Sequence, residues 1–352
     1  MAIKKGISNT TGFNQNDINN QAKAEIIAED FTAFLNEFHS YPQPYDDPLD
    51  AWLHGCYAKV KTKRQFFDFN TQPHFSPSSA NSDDRELYEK VLKAKRDTQL
   101  EEPHRRRWTA LGTAIGDLIQ REVLLAERHF EKFTGKAPRF KMARTEHGYP
   151  FFEDFVKTMK VITHNGKKFS LFGTGDGVLE YVDDDGEIIR VGLEIKSKQT
   201  THAQTSYHSM KEAKEDHVKQ VTCYSIMYDV DYYIILYVNA SKKGWFMTDE
   251  DKEKYPDIRA FGIYVTEEMK QEVLDKFAGV IDAVDKKQPP KLALDKWIFN
   301  NFKQHIAKTL TDDEIADLAQ QVARINASHM PAWKKQQLTN AFEEIKELRA
   351  NG

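Results

Sequence analysis

Cysteine is nearly absent. Cys56 and Cys223 are the only two in 352 residues, which excludes a disulfide framework, a cysteine-rich zinc site and a four-cysteine iron–sulfur cluster. Cys223 lies in a helical stretch and reads as core. Long apolar runs are missing too: none reaches the roughly 18 residues of a membrane-spanning helix, so no membrane association is expected. The start, Met1-Ala-Ile-Lys-Lys-Gly-Ile-Ser, is basic but has no apolar h-region. No signal peptide is read, and a reducing cytoplasm fits. A dominant charge is also lacking, since 54 acidic and 50 basic residues leave a net charge of −4. The overall balance therefore does not mark a nucleic-acid binder, and any such contact has to come from local basic patches. No internal repeat or low-complexity block occurs. The length and a hydrophobic fraction of 40% suffice for one large domain with extensions, or for two domains.

What is present centres on Gly173 to Tyr228. Two strand-like runs flank Asp183-Asp184-Asp185-Gly186, and Asp and Gly tolerate positive φ, so Asp185-Gly186 reads as a hairpin turn. Reflecting the chain about that turn sets Asp176 opposite residues 193 to 195 and brings Glu194 beside it. Alternation along a strand points Glu194 and Lys196 the same way. A solvated hairpin face would also carry charges. Against it, Leu193 and Ile195 commit the opposite face to a core, and Val178, Leu179, Tyr181 and Val182 suggest a packed partner strand. Two close carboxylates repel unless a cation lies between them, and oxygen donors suit Mg²⁺ or Mn²⁺.

Asp176, seventeen residues, then Glu194-Ile195-Lys196 resembles the PD-(D/E)XK nuclease superfamily. Gly175-Asp176-Gly177 is similar to the second motif of its RecB-type branch. Gln220 and Tyr224, four apart on the following helix, resemble that branch's Q-x-x-x-Y motif. The resemblance covers about Trp108 to Asn239. It implies that Asp176 and Glu194 bind a divalent metal, with the Ile195 carbonyl completing the coordination. It also implies that Lys196 assists the attacking water, and that Gln220 and Tyr224 order the site and the substrate. Some RecB-type nucleases carry an iron–sulfur cluster, which this chain has too few cysteines to hold.

Asp17 to Phe38 has helical spacing after a polar arm over residues 1 to 16, and Leu49 to Lys63 reads as a second helix. Phe75-Ser-Pro-Ser-Ser, followed by Arg85-Glu-Leu-Tyr, resembles the opening of RecB-type phage and Cas-associated nucleases. It makes Ser78 a candidate substrate contact beside the plainer reading of a capped helix. His104-Arg-Arg-Arg-Trp makes Arg107 a candidate phosphate contact, or a solvated helix start.

Thr109 to Lys132 is a long helix. At steps of about 100°, Leu111, Ile115, Leu118, Leu125, Ala126, His129 and Phe133 share one side, and Glu122 falls in its middle. An acid in an apolar stripe needs a partner or a metal. Since the family's first motif is an acid on such a helix, Glu122 is the candidate third metal ligand, ranked above Asp117 and His129. The usual histidine of the G-x-x-x-H segment is replaced by Gly116.

Lys196, Lys198, His202, His208, Lys211, Lys214, His217 and Lys219 make the connector and the next helix locally basic. They could track a phosphate backbone, or form a solvated face shared with Glu212, Glu215 and Asp216. A buried-type strand follows at Asp231–Asn239, then a strand at Phe261, a helix over Glu267–Lys286 and a helical tail.

The expected fold is α/β: a restriction-endonuclease-like core, a mixed β-sheet flanked by helices, with helical additions at both ends. Segments 1–72, 73–290 and 291–352 are its expected divisions. The expected activity is metal-dependent hydrolysis of DNA in the style of a phage exonuclease for recombination or replication. That activity fits a host-cytoplasmic location and DNA as the partner, and leaves room for an oligomer and for a recombination or single-strand-binding partner protein; the subunit number is not fixed by the sequence. The alternatives are an inactive nuclease-fold module that binds DNA or directs assembly, and a scaffold working through its helical tails.

Overall fold

The computed structural model describes residues 14–63, 65–98 and 102–351. Its helices are α1 (Gln15–His39), α2 (Asp47–Thr62), α3 (Asp84–Val91), α4 (Pro103–Thr134), α5 (Glu215–Tyr228), α6 (Asp249–Lys254), α7 (Glu267–Lys286), α8 (Lys303–Thr309), α9 (Asp312–Ala327) and α10 (Ala332–Ala350). Its strands are β1 (His74–Phe75), β2 (Phe140–Met142), β3 (Thr158–His164), β4 (Lys167–Gly173), β5 (Gly177–Val182), β6 (Ile188–Lys198), β7 (Tyr232–Asn239) and β8 (Ile258–Tyr264). Most of the expected polar arm, residues 1–13, lies outside the described residues. Its last residues are already tied to α1. The Asn14 side chain accepts the N–H groups of Asn16 and Asp17, and the Asp17 carboxylate accepts the Asn14 N–H, a reciprocal cap.

A five-stranded mixed sheet runs β2-β5-β6-β7-β8, and a three-stranded sheet runs β1-β4-β3. Helices flank both, giving the mixed α/β architecture that the strand and helix patterns predict. In the larger sheet a hairpin, β5–β6, is followed by α5 and by β7 parallel to β6. This hairpin–helix–strand plan is that of a restriction-endonuclease-like core. Among the described residues no helix is long and apolar enough to cross a membrane.

The chain divides into two compact units that are discontinuous in sequence and do not follow the segments 1–72, 73–290 and 291–352. The first comprises the described residues of Met1–Asp68, Glu101–Lys160 and Leu171–Gln271. Here α1 lies directly on β8: a Cβ at Gly262 would sit 1.8 Å from the Ala24 carbonyl oxygen. The Gln21 side chain donates to the Gly262 carbonyl and accepts the Tyr264 N–H, both at 2.9 Å, which covers the polar edge of the outermost strand. β7 is buried along nearly its whole length. Ile234, Leu236 and Val238 join the core shared with α1 and α4, and the alternate residues face the α5 side.

The second unit comprises the described residues of Phe69–Leu100, Val161–Ser170 and Glu272–Gly352. Its core surrounds the fully buried Trp297. Thr311 and Glu314 form a reciprocal cap at the start of α9. Arg85 is buried, with Nε 3.1 Å from Glu89 and Nη1 2.9 Å from Glu314. Its charge is thus spent inside this unit.

Candidate active site

The hairpin turn sets the register of the site. Asp183 Oδ1 accepts the N–H groups of Asp185 at 3.1 Å and Glu187 at 2.9 Å, and Gly186 takes φ +82°, a value that favours glycine. Gly177 then pairs with Leu193, so Asp176, one residue before the strand, comes level with Glu194. Asp176 Oδ2 accepts the Ile195 N–H at 2.6 Å. Glu194 is 2% exposed and points to the face opposite the packed Leu193. Its Oε1 lies 2.6 Å from Lys196 Nζ, while its Oε2 is buried and has no hydrogen-bond partner.

The helix α5 completes this face. Lys196 Nζ donates to Gln220 Oε1 at 2.9 Å. Gln220 Nε2 lies 3.5 Å from the Tyr224 hydroxyl, which donates to the Thr174 carbonyl at 2.6 Å. One turn further, the Tyr228 hydroxyl accepts the Gly175 N–H at 2.9 Å. Residues 220, 224 and 228 thus form one helical stripe that holds both the lysine and the loop carrying Asp176. Sequence reading finds the first two and misses Tyr228, which continues the same four-residue spacing.

Both acids are harder to ionise than usual. Burial raises Asp176, against the opposing effects of the Ile195 N–H and Lys196. Burial and then the charge of Asp176 push Glu194 up to about 8, with Lys196 opposing. The pair lacks positive charge even with the lysine in place. Two carboxylates and the neighbouring Ile195 carbonyl are hard oxygen donors of the kind Mg²⁺ and Mn²⁺ take. Among the described residues no three Asp, Glu, His or Cys side chains converge as a ready cage.

Glu122 does not join this group, and the reading of α4 is corrected. Its carboxylate lies 3.4 Å from His39 Nε2 and accepts from Gln43 Nε2 at 3.4 Å. The error lies in the helical wheel. Leu111 and Leu118, used to centre the apolar stripe, are about half exposed. The buried side instead runs through Ile115, Ile119, Val123, Ala126 and Phe130, which rotates the core direction and leaves Glu122 at its margin. His129 is also elsewhere, 2.7 Å from Asp46.

The α4 residue that meets the site is Gln120, about 160° from Glu122 around the helix. It is buried, its Nε2 donates to the Asp176 carbonyl at 2.8 Å, and its Oε1 has no partner. Glu153 was missed as well. Its N–H donates to the Gly175 carbonyl at 2.9 Å, and its backbone is held at φ +35°, a strained value for this residue. Its carboxyl is pushed up to about 7 by burial, then by Asp176, Asp117 and Asp154. A Cβ at Gly116 would lie 3.9 Å from Glu153 Oε1. Asp117, raised by burial and by Asp154, belongs to this acidic group and Glu122 does not. Glu153 follows an aromatic run with no periodicity, so no spacing rule singles it out.

Arg107 is exposed near the start of α4. The adjacent Trp108 carbonyl accepts Gln199 Nε2 at 3.1 Å, just past the end of β6. Ser78 is exposed on a 3₁₀ turn, Pro77–Asn81, of the second unit.

No family model matches the chain, and no curated protein does. Among solved structures it is similar to SSO0001, at 12% identity and TM-score 0.36, over 72% of this chain and 94% of that one. It is also similar to an alkaline exonuclease, LHK-Exo from Laribacter hongkongensis, at 11% identity and TM-score 0.34, over 61% and 89% of the two chains. The complex of LHK-Exo with dAMP gives 14% identity and TM-score 0.33, over 60% and 88%.

Proposed function

We propose that the chain is a divalent-metal-dependent deoxyribonuclease of the PD-(D/E)XK superfamily, acting as an exonuclease of the RecB-type phage branch in recombination or replication. One observation carries the reading. Lys196 is held between Glu194 Oε1 and Gln220 Oε1 beside a buried acid pair in which Glu194 Oε2 stays unpartnered. A purely structural ion pair would satisfy both oxygens, because an unpaired buried acceptor costs about 1–3 kcal/mol.

Asp176, Glu194 and the Ile195 carbonyl would hold Mg²⁺ or Mn²⁺, which when bound supplies a water of lowered pKa and counter-charge for the phosphate. Lys196 orients the attacking water and stabilises the negative charge that grows on the phosphate oxygens. Gln220 fixes the lysine, and Tyr224 anchors the Asp176 loop through the Thr174 carbonyl. Arg107 and Ser78 serve as backbone contacts to DNA.

The test is degradation of linear and circular DNA with Mg²⁺, Mn²⁺ or EDTA. Loss of linear DNA with either metal, abolished by EDTA and by Asp176→Asn, is expected. Cleavage indifferent to EDTA or to the substitution overturns the reading. Binding without cleavage points to an inactive nuclease-fold module.

A further inference from the structure

Lys198 leaves β6 on the same face as Glu194 and Lys196, one pleat repeat beyond the lysine, about 6.6 Å further along the strand. Its ammonium stands 4.9 Å from the centre of the Tyr237 ring. Tyr237 is fully buried, and its hydroxyl accepts the Lys214 N–H at 2.9 Å and meets His217 Nδ1 at 2.7 Å. The phenol proton goes to Nδ1 when the imidazole carries its own proton on Nε2; in the other tautomer Nδ1–H donates to the phenol oxygen. In the first tautomer the neutral imidazole presents Nε2–H as a donor. One buried tyrosine thereby touches the Lys198 ammonium, the Lys214 backbone and an imidazole where the carboxyl end of β6 meets the amino end of α5.

These groups lack counter-charge. Burial, then Lys214 and Lys196, hold Lys198 down to about 8. Burial, then Lys196, Lys198 and Lys214, hold His217 down to about 3. No carboxylate pairs with Lys198 or Lys214 among the described residues, and the nearby Glu215 is taken by Lys219 at 2.6 Å. Two lysines at the positive end of a helix, Lys198 half-buried and Lys214 exposed, neither with an acid partner, suit an anion.

Building on the nuclease reading above, we propose that Lys198, Lys214 and His217 form a second phosphate subsite, which holds the DNA phosphodiester next to the one that faces Lys196. Two lysines one strand repeat apart would engage successive phosphates of a single DNA strand.

The test is a substrate-and-protein cycle read as binding in EDTA, where cleavage is off. The probe is a short single-stranded DNA carrying one neutral methylphosphonate, placed at each linkage in turn. One linkage should cost the native chain roughly tenfold in affinity, the scale of one charge-assisted hydrogen bond. The same neutral linkage should cost the Lys198→Gln, Lys214→Gln double variant almost nothing. That variant should also show a salt slope shallower by about 0.7, one phosphate contact on a single strand. Neither lysine is in the core, and a thermal melt checks that the variant folds. Equal methylphosphonate costs in both proteins, or native affinity in the variant, overturn the subsite, as does failure of the native chain to bind the unmodified strand. Metal-dependent cleavage is scored separately, so a chain that binds this way without cleaving keeps the subsite and loses the nuclease.

Discussion

Lys196 Nζ lies 2.6 Å from Glu194 Oε1, two residues away on the same face of β6, and both sit beside Asp176. The lysine compensates part of the charge of a buried acid pair and also presents a proton donor at its rim. Removing it should separate chemistry from binding. Lys196→Ala should lower single-turnover cleavage by about 10²–10³-fold, as loss of one preorganised donor to transition-state charge does, while DNA affinity in Ca²⁺ changes far less. Poor binding with normal cleavage at saturation would make the lysine a phosphate anchor only.

Gln220→Ala should have a smaller effect on turnover. The amide accepts from Lys196 at 2.9 Å and so acts by aiming the ammonium, leaving its charge in place. A loss equal to that of Lys196→Ala in the same assay would show that an unaimed lysine is useless.

The acid pair should make metal-free stability depend on pH. Glu194 is near 4.3 in an unfolded chain and about 8 in the fold, so between these values the native state binds more protons than the unfolded one. By linkage, stability is then lost as pH rises. In EDTA the melting temperature should fall between about pH 5 and 8, and Glu194→Gln should flatten that fall. Added Mg²⁺ should raise the melting temperature most at the alkaline end, where protons compete least with the metal. A flat profile for the native chain would contradict the buried, mutually repelling pair.

Glu122→Gln should leave metal-dependent cleavage intact, because that carboxylate faces His39 and Gln43. Glu153→Gln should instead weaken cleavage, and it should raise metal-free stability near neutral pH by relieving repulsion with Asp176 and Asp117. Titration of cleavage against Mg²⁺ for both variants checks this. The reverse pattern would restore Glu122 to the site.

Local rules carry most of the β5–β6 hairpin. Asp183–Gly186 fixes a turn, the turn fixes a register, and alternation on β6 then places Glu194, Lys196 and Lys198 on one face. Spacing on α5 likewise puts Gln220 and Tyr224 together, and the apolar run of β7 announces a strand buried on both faces. Each of these follows from backbone geometry over a few residues, which the order of amino acids alone determines. Which face of α4 meets the sheet is another matter. Leu111 and Leu118 look like core but are half exposed, because the direction of the core is set by how α1, β2 and β6 surround the helix. That packing turns Gln120 toward Asp176 and Glu122 away. It also brings Glu153, from a single 3₁₀ turn, to the acid pair, and uses Tyr237 to draw Lys198, the Lys214 backbone and His217 together. Contacts between residues far apart in sequence carry no period to read, so only the tertiary structure decided them.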